Sequence, residues 1–149
     1  MPYFTLQITQ FGPMLNAFVW VSEARKTTLD SQKIQVPKAV PIRGLVDTGA
    51  SCTCIDTSVL KSLGLSPTGT ASMSTPSTGA TPHVTEQYDV SIIIPGATNN
   101  HAPLAVGNLP VIACDLLQAQ GIHALIGRDI LADCLLSYDG GGGFFTLAY

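Results

Sequence analysis

The chain has 149 residues, 46% of them hydrophobic and only 11% charged, which gives length for one real core but too few charges to clothe an ordinary monomer surface. A single domain over residues 1–149, with some apolar surface buried between subunits, is therefore expected. The formal net charge of -3 comes from seven basic and ten acidic residues in no block of either sign, which excludes the electrostatic footprint of a nucleic-acid or anionic-membrane binder.

No apolar run reaches the length of a membrane span, and the opening MPYFTLQITQ has no basic head before an apolar stretch. A soluble, cytoplasmic protein with no membrane partner is expected. Tyr3 to Thr9 and Leu15 to Val21 are β-branched and aromatic with partial alternation, separated by Gly12-Pro13. That pattern predicts strand, turn, strand, an antiparallel opening. Residues 23–41 carry four of the seven basic groups and two prolines with weak periodicity, which predicts a solvated excursion with room for a short strand at Lys33 to Val36.

Ile42 to Asp47 is an apolar strand that stops at Thr48-Gly49, and Cys52 to Asp56 is the strand leaving that turn. Asp56 or Thr57 then caps a short helix over TSVLKSLG, whose Val59, Leu60 and Leu63 share a face and whose Gly64 ends it. Residues 66–82 are small and hydroxyl-bearing with three prolines and two glycines, and read either as a linker or as a hairpin. The following VTEQYDVSIIIP alternates and then turns wholly apolar, which favours the hairpin.

Leu104 to Val106 and Val111 to Ala113 read as two short strands around Gly107-Asn108, and HALIG at 123–127 as a further strand. RDILADC has room for a brief helix, after which Leu135 to Tyr138 and Phe144 to Tyr149 flank DGGGG as a hairpin. Many short strands, two small helices and no β-α-β alternation predict a mostly β domain, closed or sandwiched.

The chemistry concentrates at LVDTGAS, residues 45–51. Leu45 and Val46 anchor the backbone, Gly49 permits a tight turn and Ala50 keeps it uncrowded, which holds Asp47 at a rigid strand end. The bland alternative is a turn aspartate bonded to its own backbone. Two carboxylates sharing one proton can activate water and protonate a leaving amine, but no second aspartate has this setting, so a second chain must supply the other. His83, His101 and His123 are scattered and no Gly-x-Ser-x-Gly elbow occurs. Cys52, Cys54, Cys114 and Cys134 match no common zinc spacing and read as buried free thiols, with disulfides the alternative in an oxidising compartment. DGGGG opens no helix, so no phosphate-cradling loop is present. Neither a metal nor a cofactor is expected.

Together, LVDTGAS, HALIGRDIL at 123–131 and the terminal FFTLAY resemble the retropepsin-type aspartic proteases, including bacterial single-domain relatives. The resemblance runs from about residue 14 to 149, with its specificity in the first two motifs. It implies a closed antiparallel β-barrel with one or two short helices, acting as a two-fold homodimer on a peptide or protein substrate. It makes Asp47 catalytic, with Thr48 bonding across the two-fold axis. Leu125, Ile126 and Gly127 support the turn from behind, Gly127 by allowing close backbone approach. A flap is expected at about 70–90, centred between Met73 and Gln87. Its tip at Ser77, Thr78 and Gly79 would bind substrate with Gly49 and Ala50. The flap here is less glycine-rich than the family's and carries Pro76 and Pro82. Arg128 matches an arginine that pairs with an aspartate in the family, but position 51 is serine, so that ion pair must be absent or rerouted. The strand at 144–149, an exposed apolar edge if left alone, would pair with its copy. The expected function is that of an aspartic endopeptidase; the alternative is a non-catalytic dimeric peptide-binding module of the same fold.

Overall fold

Residues 1–75, 79–98 and 100–149 are described in the computed structural model. In chain order the elements are β1 (Tyr3–Gln7), β2 (Met14–Val21), α1 (Glu23–Ser31), β3 (Val40–Val46), β4 (Cys54–Asp56), α2 (Thr57–Ser62), β5 (Gly69–Met73) and β6 (His83–Ile94). They continue as β7 (Leu104–Cys114), a 3-10 turn (Gln118–Gln120), β8 (Ala124–Ile126), α3 (Arg128–Leu131), β9 (Leu135–Asp139) and β10 (Phe144–Ala148).

One sheet runs β2-β3-β8-β4-β7-β6-β5, and a further pairing of β2 with β6 closes six of its strands into a barrel. The expected closed barrel is thus present, though two of its pairings, β3 with β8 and β4 with β7, are parallel. Its interior is filled by alternate strand residues, among them Val19, Ile55, Val90, Ile92, Val111 and Ile126, all at 0–1% exposure, so each contributes about 1.5–3 kcal/mol by leaving water. Leu60 of α2 joins them, and Val59 and Leu63 share its buried face as the sequence implies.

The sequence reading needs four corrections. The opening strands do not form a hairpin: Gly12, at φ 110, turns the chain away, β2 pairs with β3 and β6, and β1 pairs with β10. Residues 23–31 are helical rather than irregular, because Ser22 accepts from the Arg25 amide at 3.2 Å as N-cap and Leu29 is buried. Residues 33–36 form no strand. The two short strands around Gly107-Asn108 are one continuous β7, with a one-residue register shift opposite Val90 and Ile92 that absorbs the glycine as a bulge. Asn108 on that bulge accepts from the Ala24 amide at 3.1 Å, and a Cβ on Gly107 would fall 2.7 Å from Glu23 Cγ, so the bulge seats α1.

The C-terminal strand also differs. It does not stand at an edge, since β10 is the middle strand of a separate three-stranded sheet β1-β10-β9, with Phe4, Leu147 and Leu136 in register. The free edges of that sheet belong to β1 and β9.

Candidate active site

Asp47 follows directly on β3, whose last three residues pair in parallel with all of β8. The ladder extends one residue further, because the Asp47 amide donates to the Ile126 carbonyl at 3.0 Å, while the Val46 amide donates to the Pro13 carbonyl at 2.9 Å. Gly44 makes this approach possible: a Cβ there would lie 2.8 Å from Ile126 Cγ1. Past Asp47 the chain reverses, with the Ala50 amide donating to the Asp47 carbonyl at 3.2 Å and the Gly49 amide to Asp47 Oδ1 at 2.9 Å. The carboxylate therefore does bond its own turn, as the bland alternative had it. Among the described residues its other oxygen accepts no hydrogen bond.

The turn is tied from behind by α3. The Arg128 amide donates to the Ala50 carbonyl at 2.9 Å and its guanidinium to the Thr48 carbonyl at 3.2 Å, so in place of a carboxylate at position 51 the arginine holds the backbone of the Asp47 turn. Gly127 has the close approach expected of it, since a Cβ would fall 2.5 Å from the Cys52 carbonyl carbon and 2.9 Å from the Thr53 nitrogen.

Beneath that contact lies a network the sequence reading missed. The Gly127 amide donates to the Thr53 hydroxyl at 3.1 Å, and that hydroxyl donates to Asp129 at 2.7 Å. Asp129 also accepts from the Thr53 amide at 2.7 Å and the Ile130 amide at 2.9 Å. The available signal was a carboxylate at the start of a short helix just after an apolar-apolar-glycine strand end, where it can satisfy free amides.

A cleft of ≈ 370 Å³ opens at Asp47. Gly49 and Ala50 line it, as expected, and Cys54, Ile112 and Leu125 lie along it. Leu125 and Ile126 divide their duties: Leu125 lines the cleft, whereas Ile126, at 0% exposure, packs into the barrel. The third side is the β5–β6 hairpin, paired from Gly69 with Gln87 to Met73 with His83, whose Met73, Ser74 and Thr75 line the cleft. Of the expected tip, Ser77 and Thr78 lie outside the described residues, as does the neighbouring Pro76, and Gly79, exposed at φ 60, is not part of the lining. Thr48 is exposed.

The remaining candidates sit elsewhere. All four cysteines are free, but only Cys54 is buried; Cys52, Cys114 and Cys134 are half-buried, short of the interior packing expected of them. Asp56 caps α2 by accepting from the Ser58 amide at 2.9 Å, and it also accepts from the Leu116 amide at 2.8 Å and the Gln118 side chain. Burial pushes its carboxyl up, yet these bonds together outweigh burial and hold it below the usual carboxylate range.

Comparison with known proteins bears on this geometry. A family model described as aspartyl protease matches residues 32–139, a span that includes Asp47, the hairpin, β8 and α3. Among solved structures the chain is similar to a retropepsin-like aspartic protease from Rickettsia conorii, with a TM-score of 0.59 at 18% identity over 97% of this chain and 89% of that one. At that identity the likeness is one of fold. No curated protein matches the chain in sequence.

Proposed function

The chain belongs to the aspartyl protease family, and from that premise we propose that it is an endopeptidase in which two Asp47 carboxylates, one from each subunit of a two-fold homodimer, activate the attacking water. The observation that carries this reading is the placement of Asp47: at the mouth of a cleft, on a turn held by Ile126 and Arg128, facing a hairpin that supplies the opposite wall. Asp56 and Asp129 are each engaged by several hydrogen bonds in the scaffold, which supports a second chain as the source of the other acid.

Two like charges brought close cannot both ionise, so one carboxyl of such a pair keeps its proton while the other accepts one from water. The ionised partner acts as base, the protonated one polarises the scissile carbonyl, and the proton then passes to the leaving amine. Thr48 would bond across the axis and keep the two turns in register, and a peptide would lie extended between the cleft and the hairpin.

Incubating the protein with a diverse peptide library tests the reading. Asp47→Asn is expected to abolish cleavage while leaving the sedimentation mass unchanged. Undiminished cleavage would overturn it, and peptide binding without turnover in the unsubstituted chain would favour a binding module instead.

A further inference from the structure

The lining of the cleft also includes a thiol. Cys54 on β4 stands opposite Ile112 of the parallel strand β7, and two residues on, Asp56 stands opposite Cys114. Residues two apart on a strand share a face, so Cys54 and Cys114 are diagonal neighbours on one face of adjacent strands. The two thiols are near enough to act on each other electrostatically, and the Cys54 thiol donates to the Cys52 carbonyl at 3.8 Å. Their surroundings differ. Cys54 is buried and borders the Asp47 cleft, whereas Cys114 is half-buried and lines a separate open depression of ≈ 500 Å³ beside the β5–β6 hairpin. A buried thiol on the Asp47 cleft and a half-buried one on the neighbouring depression thus share one face of two paired strands.

We propose that Cys114 and Cys54 form a reversible dithiol–disulfide pair, in which Cys114 reacts with a low-molecular-weight disulfide such as oxidised glutathione and Cys54 resolves the adduct. The neighbouring Cys54 thiol draws Cys114 below the usual thiol range, against burial and the carboxylates of Asp115 and Asp56. The Cys114 neighbour, reinforced by burial, holds Cys54 protonated. One thiol is readied as nucleophile and its neighbour stays in reserve. At Cys52 burial and the Asp129 carboxylate outweigh the Ser51 hydroxyl that favours the thiolate, and at Cys134, which donates to the Ile130 carbonyl at 3.5 Å, burial and Asp133 both push the thiol up.

The exchange needs no other reactant. The Cys114 thiolate attacks one sulfur of glutathione disulfide, the reagent's sulfur–sulfur bond breaks, and one glutathione thiolate departs. Cys54 then loses its proton and attacks the Cys114 sulfur, a Cys54–Cys114 bond forms, and the second glutathione leaves and takes up the proton. Two cysteine thiols are oxidised and one reagent disulfide is reduced to two thiols.

The test is independent of any peptidase activity. The full chain is equilibrated across a series of reduced-to-oxidised glutathione ratios, alkylated, digested and mapped by mass spectrometry. A Cys54–Cys114 linked peptide is expected to grow with the oxidised fraction and to disappear on reduction, with a rise of about 5 °C or more in melting temperature of the linked chain. Cys54→Ser is expected to stop at a glutathione adduct on Cys114. Adducts that favour Cys52 or Cys134, or the absence of a Cys54–Cys114 link at every ratio, would overturn the proposal. Because the mapping is read on the unsubstituted chain, its outcome does not depend on a variant folding.

Discussion

Thr53 is the residue on which the back of the Asp47 turn converges. Fully buried, it accepts from the Gly127 amide and donates both its hydroxyl and its amide to Asp129. Thr53→Val keeps the volume but strips the hydroxyl, leaving the buried Gly127 amide without a partner and removing one of the bonds to the Asp129 carboxylate, which keeps the Thr53 and Ile130 amides. Unsatisfied buried groups cost about 1–3 kcal/mol each, more where one is charged, so the variant is expected to lose about 2–4 kcal/mol in urea unfolding, while Thr53→Ser stays within about 1.5 kcal/mol of the parent. A Thr53→Val chain as stable as the parent would show that water or a rearranged Asp129 replaces the hydroxyl. Gly127 gives a second case. Ala at this position drives a methyl into the Cys52 backbone at 2.5 Å, where nothing flexible can yield, so Gly127→Ala is expected to unfold at markedly lower urea than the parent chain.

At the scale of elements, α2 shows how one side chain ties a short helix to its surroundings. Asp56 caps it and reaches across to Leu116 and Gln118, and these bonds depress its carboxyl. A carboxyl whose folded pKa lies below its unfolded value contributes stability that is complete above the unfolded value and is lost as pH falls through the folded one. Asp56→Asn is therefore expected to be less stable than the parent near neutral pH, with the difference shrinking between about pH 5 and pH 2. Urea midpoints measured across that range check the sign, and a difference that widens on acidification would refute it. The sequence revealed α2 because its cap, apolar face and terminal glycine are all local signals. It concealed α1, which carries two threonines, buries only Leu29 and is seated by Asn108 from 84 residues away. The same limit explains β7, where Gly107-Asn108 has the composition of a turn but the pairing of a bulge. Asp47 and Gly127 were legible because each lies in a contiguous motif. Thr53 and Asp129, 76 positions apart, become partners only when β4 and β8 pair.

For the whole molecule, closing the barrel removes most strand edges, and among the described residues those left open are β5 at the end of the large sheet and β1 and β9 of the small sheet β1-β10-β9. With β10 in its middle, a second copy that adds to this sheet would do so at β1 or β9, where Tyr3, Leu135 and Tyr138 stand exposed at 60, 64 and 58%. A soluble chain normally blunts such edges with charge or proline, and pairing two copies at either edge would be compatible with a two-fold axis. If each active centre needs two Asp47 residues, activity belongs to the pair and not to the chain. Mixing tests this without structural assumptions. When a fixed amount of unsubstituted protein exchanges subunits with an equal amount of Asp47→Asn protein, random pairing leaves about half of the original chains in fully competent dimers. Activity is expected to fall to about half and to decline further as the inactive partner is increased, with the same added mass of an unrelated protein having no effect. Activity that stays constant at every ratio, once sedimentation with labelled subunits has shown exchange, would mean that one chain contains a complete catalytic centre. That result would return the search for the second acid to this chain's own aspartates.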